Sequence, residues 1–147
     1  IGEHPFFATL PPEYRGIVAG CGRLAAFRAG DYLCRTGGDA DSFYLVRRGL
    51  VALELTPPGG APFRFQTIGP GEILGWSWLF PPHQWQFDVR AIEDTSVIRF
   101  DGRCLRGKCD DDPRLGYDLM KRFAQMIVQR FVDTRLQLID VYGRRGG

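Results

Sequence analysis

A chain of 147 residues with 44% hydrophobic and 24% charged side chains has the make-up of a single globular domain with a sizeable core. The net charge of +2 is spread without a basic stripe, 9 basic against 10 acidic side chains over residues 1–100 and 10 against 7 over 101–147, so charge gives no argument for nucleic acid. No apolar run approaches the roughly 18 residues that span a bilayer, and Ile1-Gly2-Glu3-His4 has no basic lead into an apolar segment, so the chain reads as cytoplasmic, with neither membrane span nor signal peptide.

The first segment, 1–22, reads as helical. Leu10-Pro11-Pro12-Glu13 supplies a start with proline tolerated in the first turn, and Ile17 and Val18 give a short apolar face. From about Leu24 the period changes, and Gly, Pro and Asp interrupt short apolar stretches in the all-β manner. The expected strands are Leu24–Phe27, Tyr32–Arg35, Phe43–Arg47, Leu50–Leu55, Phe63–Ile68, Val89–Ile92 and Ser96–Phe100. Val51, Leu53 and Leu55 alternate with Ala52 and Glu54, so one face of that strand is expected to be buried. Pro57-Pro58-Gly59-Gly60 is a hairpin tip. Eight or so short antiparallel strands over 23–100 make the fold mainly β, a jelly-roll β-roll.

Beyond Phe100 the pattern is helical to the end, over 101–147. Asp101 can cap a short helix through Cys109, and Asp112 before Pro113 caps a long one that is expected to stop at Gly143. Met120, Ala124, Ile127, Phe131, Leu138 and Val141 fall on a heptad seam, interrupted by Thr134. Leu119, Phe123 and Met126 form an adjacent stripe. Together they can pack on the roll and on a partner helix, which predicts a parallel homodimer through Met120, Ile127, Phe131 and Leu138.

Four cysteines, Cys21, Cys34, Cys104 and Cys109, read as free thiols. Cys104 and Cys109 stand about 140° apart around a helix, a poor arrangement for a metal or for a disulfide within it. Two histidines, His4 and His83, cannot build a metal cluster, and no nucleophile–base pair stands out, so neither a metal nor an enzyme is expected. His83 beside Pro81-Pro82 reads as an exposed loop residue. Arg47-Arg48 and Arg144-Arg145 read as solvated loop charge.

The string GDYLCRTGGDADSFYLVRRG from Gly30 to Gly49 resembles the cyclic-nucleotide-binding domains of the catabolite activator and Fnr (Crp/Fnr) regulators. The spacing of Phe27, Gly30, Leu33, Gly37, Ala40, Phe43-Tyr44-Leu45-Val46, Gly49 and Val51 matches without a gap, and the three glycines fall at strand reversals that favour positive φ. Ile68-Gly69-Pro70-Gly71-Glu72 looks like the family's turn before its ligand cassette. The resemblance runs from about Pro5 to Tyr142. It implies an eight-stranded roll, flanking helices, and a last helix at the dimer interface.

The family's cassette receives a cyclic phosphate on a short helix N-terminus and backbone amides, with an Arg on the phosphate and a Glu after Gly on the ribose. In this chain the Gly-Glu step falls on Gly75-Trp76, and the arginine falls near Trp85-Gln86-Phe87-Asp88, with one residue deleted. The candidate ligand positions are therefore Gly75, Trp76, Ser77, Gln86, Phe87, Asp88 and Arg90. Asp88 would repel an anion, whereas Arg90 could turn inward. Trp76, Trp78, Phe80, Trp85 and Phe87 form a dense aromatic cluster. Either they line a remodelled pocket for a small flat ligand, or they fill the old cavity.

The expectation is a stand-alone, non-enzymatic regulatory or sensor module with altered or lost cyclic-nucleotide binding. No cofactor is fixed by the residues; the ligand readings are a cyclic nucleotide or another small flat effector. The alternatives are the sensor half of a Crp/Fnr-type transcription regulator cut before its helix-turn-helix, or a protein-interaction scaffold with a self-filled pocket. With only Gly143-Arg144-Arg145-Gly146-Gly147 after the long helix, DNA binding by this chain alone is not expected.

Overall fold

A computed structural model describes residues 5–146, with side chains from 6 to 133 and at 135. Helices α1 (Pro5–Ala8) and α2 (Pro12–Gly20) open it. Pro12 takes the first position of α2, where a missing N–H leaves no bond unmade. Strands β1 (Gly22–Phe27), β2 (Tyr32–Cys34), β3 (Ser42–Arg48), β4 (Val51–Leu55), β5 (Phe63–Ile68), β6 (Ile73–Leu74), β7 (Asp88–Ala91) and β8 (Thr95–Asp101) follow. They form two antiparallel sheets, β1-β8-β3-β6 and β2-β7-β4-β5. Seven are the expected strands within two residues at each end. The eighth, β6, is too short to show a period; it is held by Tyr44↔Leu74 and Leu45↔Ile73 pairing on β3.

The first sheet is the middle layer, which explains why β3 is buried along most of its length instead of alternating. Phe43 and Leu45 face a core shared with the helices, whereas Tyr44 and Val46 face the roll interior with Leu53, Val89 and Val97. Gly30, Gly37 and Gly49 have φ of 93°, 83° and 95°. At Gly49 a Cβ would stand 2.5 Å from the Asp94 carbonyl oxygen, so this reversal admits no side chain.

A 3-10 turn, Ser77–Leu79, carries Trp78 into the helix-side core, where it stacks on Phe43 at 5.2 Å. Helix α3 (Gly102–Asp111) is capped by Asp101, whose carboxylate accepts the Cys104 N–H at 3.0 Å. Asp112 accepts the Arg114 N–H at 3.1 Å at the head of α4 (Pro113–Gly146). Helix α4 continues past the expected stop at Gly143 to Gly146. A glycine inside a helix costs only about 1 kcal/mol relative to alanine and keeps its N–H, so it need not end one.

Leu115, Leu119 and Phe123 bury the roll-facing stripe of α4 completely, with Met126 packed beside them. Tyr117, Met120, Val128 and Phe131 are exposed on the same helix, and Ile127 is half-buried. Leu138, the fourth residue of the expected interface, lies outside the described side chains, as do Thr134 and Val141. Among the described residues, no helix is long and apolar enough to cross a membrane.

Candidate functional site

The cassette connects β6 to β7 and is fastened to the 36–40 loop. Gly37 N–H donates to the Trp85 carbonyl at 2.8 Å, Trp85 N–H donates to the Gly38 carbonyl at 2.9 Å, and Ala40 N–H donates to the His83 carbonyl at 2.7 Å. His83 is half-buried with φ 53°, not the exposed loop residue expected from its prolines, because its backbone is part of this fastening.

These bonds place the Trp85 indole directly over Gly75. Gly75 is buried with φ 101°, and a Cβ on it would stand 2.8 Å from the indole edge, a separation real Cβ atoms do not reach. Trp85 meets Phe87 edge-on with centroids 6.0 Å apart, and Phe87 meets Phe65 at 5.8 Å and Trp76 at 5.6 Å. Tyr44 closes the other side of Trp85 at 6.3 Å. The five aromatic residues expected to cluster are therefore divided. Trp85 and Phe87 belong to the roll interior, half-buried Trp76 packs against both cores, Trp78 belongs to the helix side of the middle sheet, and Phe80 is exposed.

The polar candidates point elsewhere. Gln86 is exposed, and its side-chain amide donates to the Gln84 carbonyl at 3.0 Å. Ser77 is half-buried at the start of the 3-10 turn, where its carbonyl accepts the Phe80 N–H. Asp88 is buried; its carboxylate accepts the Thr36 N–H at 2.7 Å and lies 3.6 Å from Arg35. Arg90 is on the face of β7 opposite Val89, away from the roll interior, and is paired with Glu54 at 2.7 Å. It does not turn inward.

One charged residue escaped the sequence reading. Arg130 of α4 is 9% exposed, its guanidinium lies 5.7 Å from the Trp76 ring centroid, and its Nη1 has no hydrogen-bond partner. Burial pulls its pKa down to about 10, against the upward pull of Glu72 and Asp133. These groups line a cleft of about 520 Å³ with Gln66, Thr67 and Gln129, between α4 and the roll. The signal was available: 119, 123, 126 and 130 continue one helical stripe, so an arginine at 130 extends the buried face. Among the described residues, no group of three or more His, Cys, Asp or Glu could hold a metal ion.

The family model for the cyclic nucleotide-binding domain matches residues 24–112. The chain belongs to the cyclic nucleotide-binding domain family. The Drosophila melanogaster neuropathy target esterase sws is 27% identical over 125 residues, covering 78% of this chain and 8% of that protein. A Geobacter metallireducens GS-15 protein named for cyclic nucleotide binding superposes with TM-score 0.76 at 26% identity, over 87% of this chain and 92% of that one. Catabolite activator protein of Thermus thermophilus superposes with TM-score 0.70 at 24% identity, over 92% of this chain and 63% of that one. The fold is thus shared with these structures over 87% and 92% of the chain.

Proposed function

We propose that this domain is a non-enzymatic, cytoplasmic regulatory module that does not bind cyclic nucleotides in the family's manner. The observation that carries this reading is the Trp85 indole seated on Gly75, in the cassette where a ligand's ribose and phosphate belong. The cassette surroundings support it. Trp76 stands where the ribose carboxylate is expected, exposed Gln86 stands near the arginine position, and Arg90 is committed to Glu54 on the outer face. A small flat effector would have to displace the aromatic filling or enter beside Arg130. The division of labour follows the sequence: 23–100 as the sensing roll, 1–22 as its helical cover, and 101–147 as the output and dimer helices.

Titration with cyclic AMP and cyclic GMP, followed by calorimetry and tryptophan fluorescence, tests this directly, because Trp76 and Trp85 report on the cassette. The expected result is no saturable change below micromolar ligand. Submicromolar binding of either nucleotide would overturn the reading.

A second reading, the sensor portion of a longer transcription regulator, is supported by the alignment of this chain to 63% of the Thermus catabolite activator protein. A scaffold role fits the filled cassette equally, and a partner protein bound without any small ligand would favour it.

A further inference from the structure

Cys21 at the α2–β1 junction and Cys104 in the first turn of α3 are 83 residues apart in sequence, yet their sulfurs lie 2.9 Å apart. The Cys21 thiol donates to Cys104 Sγ, and both are free thiols. Asp101 fixes both backbones. Its N–H donates to the Cys21 carbonyl at 2.9 Å, and its carboxylate accepts the Cys104 N–H at 3.0 Å. The sulfurs need to approach by only about 0.9 Å to reach a disulfide bond length of about 2.05 Å. Cys21 is buried and Cys104 is exposed, so Cys104 is the residue more open to solutes.

We propose that Cys21 and Cys104 are an oxidisable dithiol, converted to an intramolecular disulfide by a low-molecular-weight disulfide of the glutathione type. Cys104 attacks first as its thiolate, forming a mixed disulfide and releasing one reduced thiol. Cys21 then attacks Cys104 Sγ, its S–H proton passing to the second leaving thiolate. Two protein thiols are oxidised and one small disulfide is reduced to two thiols. Burial, the Cys104 contact and the Asp101 carboxylate hold Cys21 up to about 12, against the opposing Lys108 charge. Cys21 is therefore the resolving sulfur, not the one that meets the oxidant. Arg23, Asp41, Asp101, Arg99 and Arg103 line a cleft together with Cys21.

The bond would staple the start of β1 to α3, which hands directly to α4 through Asp112. Oxidation would thereby restrict how the output helices move against the roll, without any ligand in the cassette.

The test is incubation of the whole chain with glutathione disulfide, followed by alkylation, non-reducing digestion and mass spectrometry. The expected product is a Cys21–Cys104 linked peptide, with Cys34 and Cys109 still reduced, and a Tm higher by on the order of 10 °C for so long a closed loop. Cys21→Ser should trap the mixed disulfide on Cys104. Cys104→Ser, at an exposed position that leaves folding intact, should leave Cys21 reduced. A stable mixed disulfide on wild-type Cys104, a cross-link only between molecules, or four thiols still reduced would each overturn the proposal.

Discussion

The Trp85 indole and the Gly75 backbone are in a contact that excludes any side chain at 75, since a Cβ there would lie 2.8 Å from the ring. The same glycine has φ 101°, which side chains of L-residues rarely tolerate. Two independent obstacles thus meet at one position. Gly75→Ala should lower stability by roughly 2–4 kcal/mol, the sum of backbone strain and overpacking. In the Trp85→Leu background the overpacking part should disappear, leaving a coupling of about 1 kcal/mol or more in urea unfolding. Strict additivity of the two substitutions would mean that the ring is not seated there in solution.

The aromatic filling is unequal, and stability should show it. Trp85 is 5% exposed, so Trp85→Ala should cost roughly 3–5 kcal/mol, as for other truncated buried tryptophans. Trp76 is half-buried beneath Arg130, and Trp76→Ala should cost clearly less. Urea midpoints of the two variants beside the wild type check the order. A reversed order would place Trp76, not Trp85, at the centre of the filling.

The frame of this domain was legible because its signals are local. Pro57-Pro58-Gly59-Gly60 does form the tip between β4 and β5, with Gly60 N–H donating to the Pro57 carbonyl at 2.9 Å, and Asp101 and Asp112 do cap the two helices. The site was legible only in outline. Five nearby aromatic residues looked like one cluster, but a single 3-10 turn sends Trp78 to the opposite face of the middle sheet from Trp85. Arg90 keeps its strand alternation, which points it outward to Glu54, and the spacing alone gave no sign of that partner. The Cys21 and Cys104 sulfurs meet only through tertiary folding, so helix geometry could compare Cys104 with Cys109 and nothing more.

The exposed face of α4 should be the dimer interface. Tyr117, Met120 and Phe131 are exposed while Leu115, Leu119 and Phe123 are saturated by the roll, leaving one apolar stripe without cover in the single chain. Phe131 is 67% exposed, so Phe131→Asp should leave the fold stable and convert a dimer to monomers, as a charge at the seam is costly to bury. Sedimentation velocity of wild type and variant at micromolar concentration checks this, together with Ile127→Asp. A wild-type monomer would show that the stripe serves another partner.

Arg130 gives a prediction whose sign depends on pH. A buried guanidinium with an unpartnered Nη1 is a charge that the fold tolerates at a cost, with Glu72 and Asp133 offsetting part of it. Arg130→Met keeps much of the aliphatic packing and removes the charge, so at pH 7 the variant should be as stable as the wild type or up to about 1–2 kcal/mol more stable. The folded-state pKa of about 10 is below the ordinary arginine value, so the folded protein holds this proton less firmly than the unfolded chain does. The cost is therefore fully present well below pH 10 and fades as pH rises through 10 towards the ordinary arginine value, because the folded form can shed the proton first. The gap between Arg130→Met and wild type should accordingly narrow between pH 9 and pH 11, both measured by urea unfolding. A variant less stable than wild type by more than about 1 kcal/mol at pH 7 would mean that Glu72, Asp133 and the Trp76 ring more than compensate the buried charge, and the cleft beside α4 would then be a closed ion-pair site, not an open one.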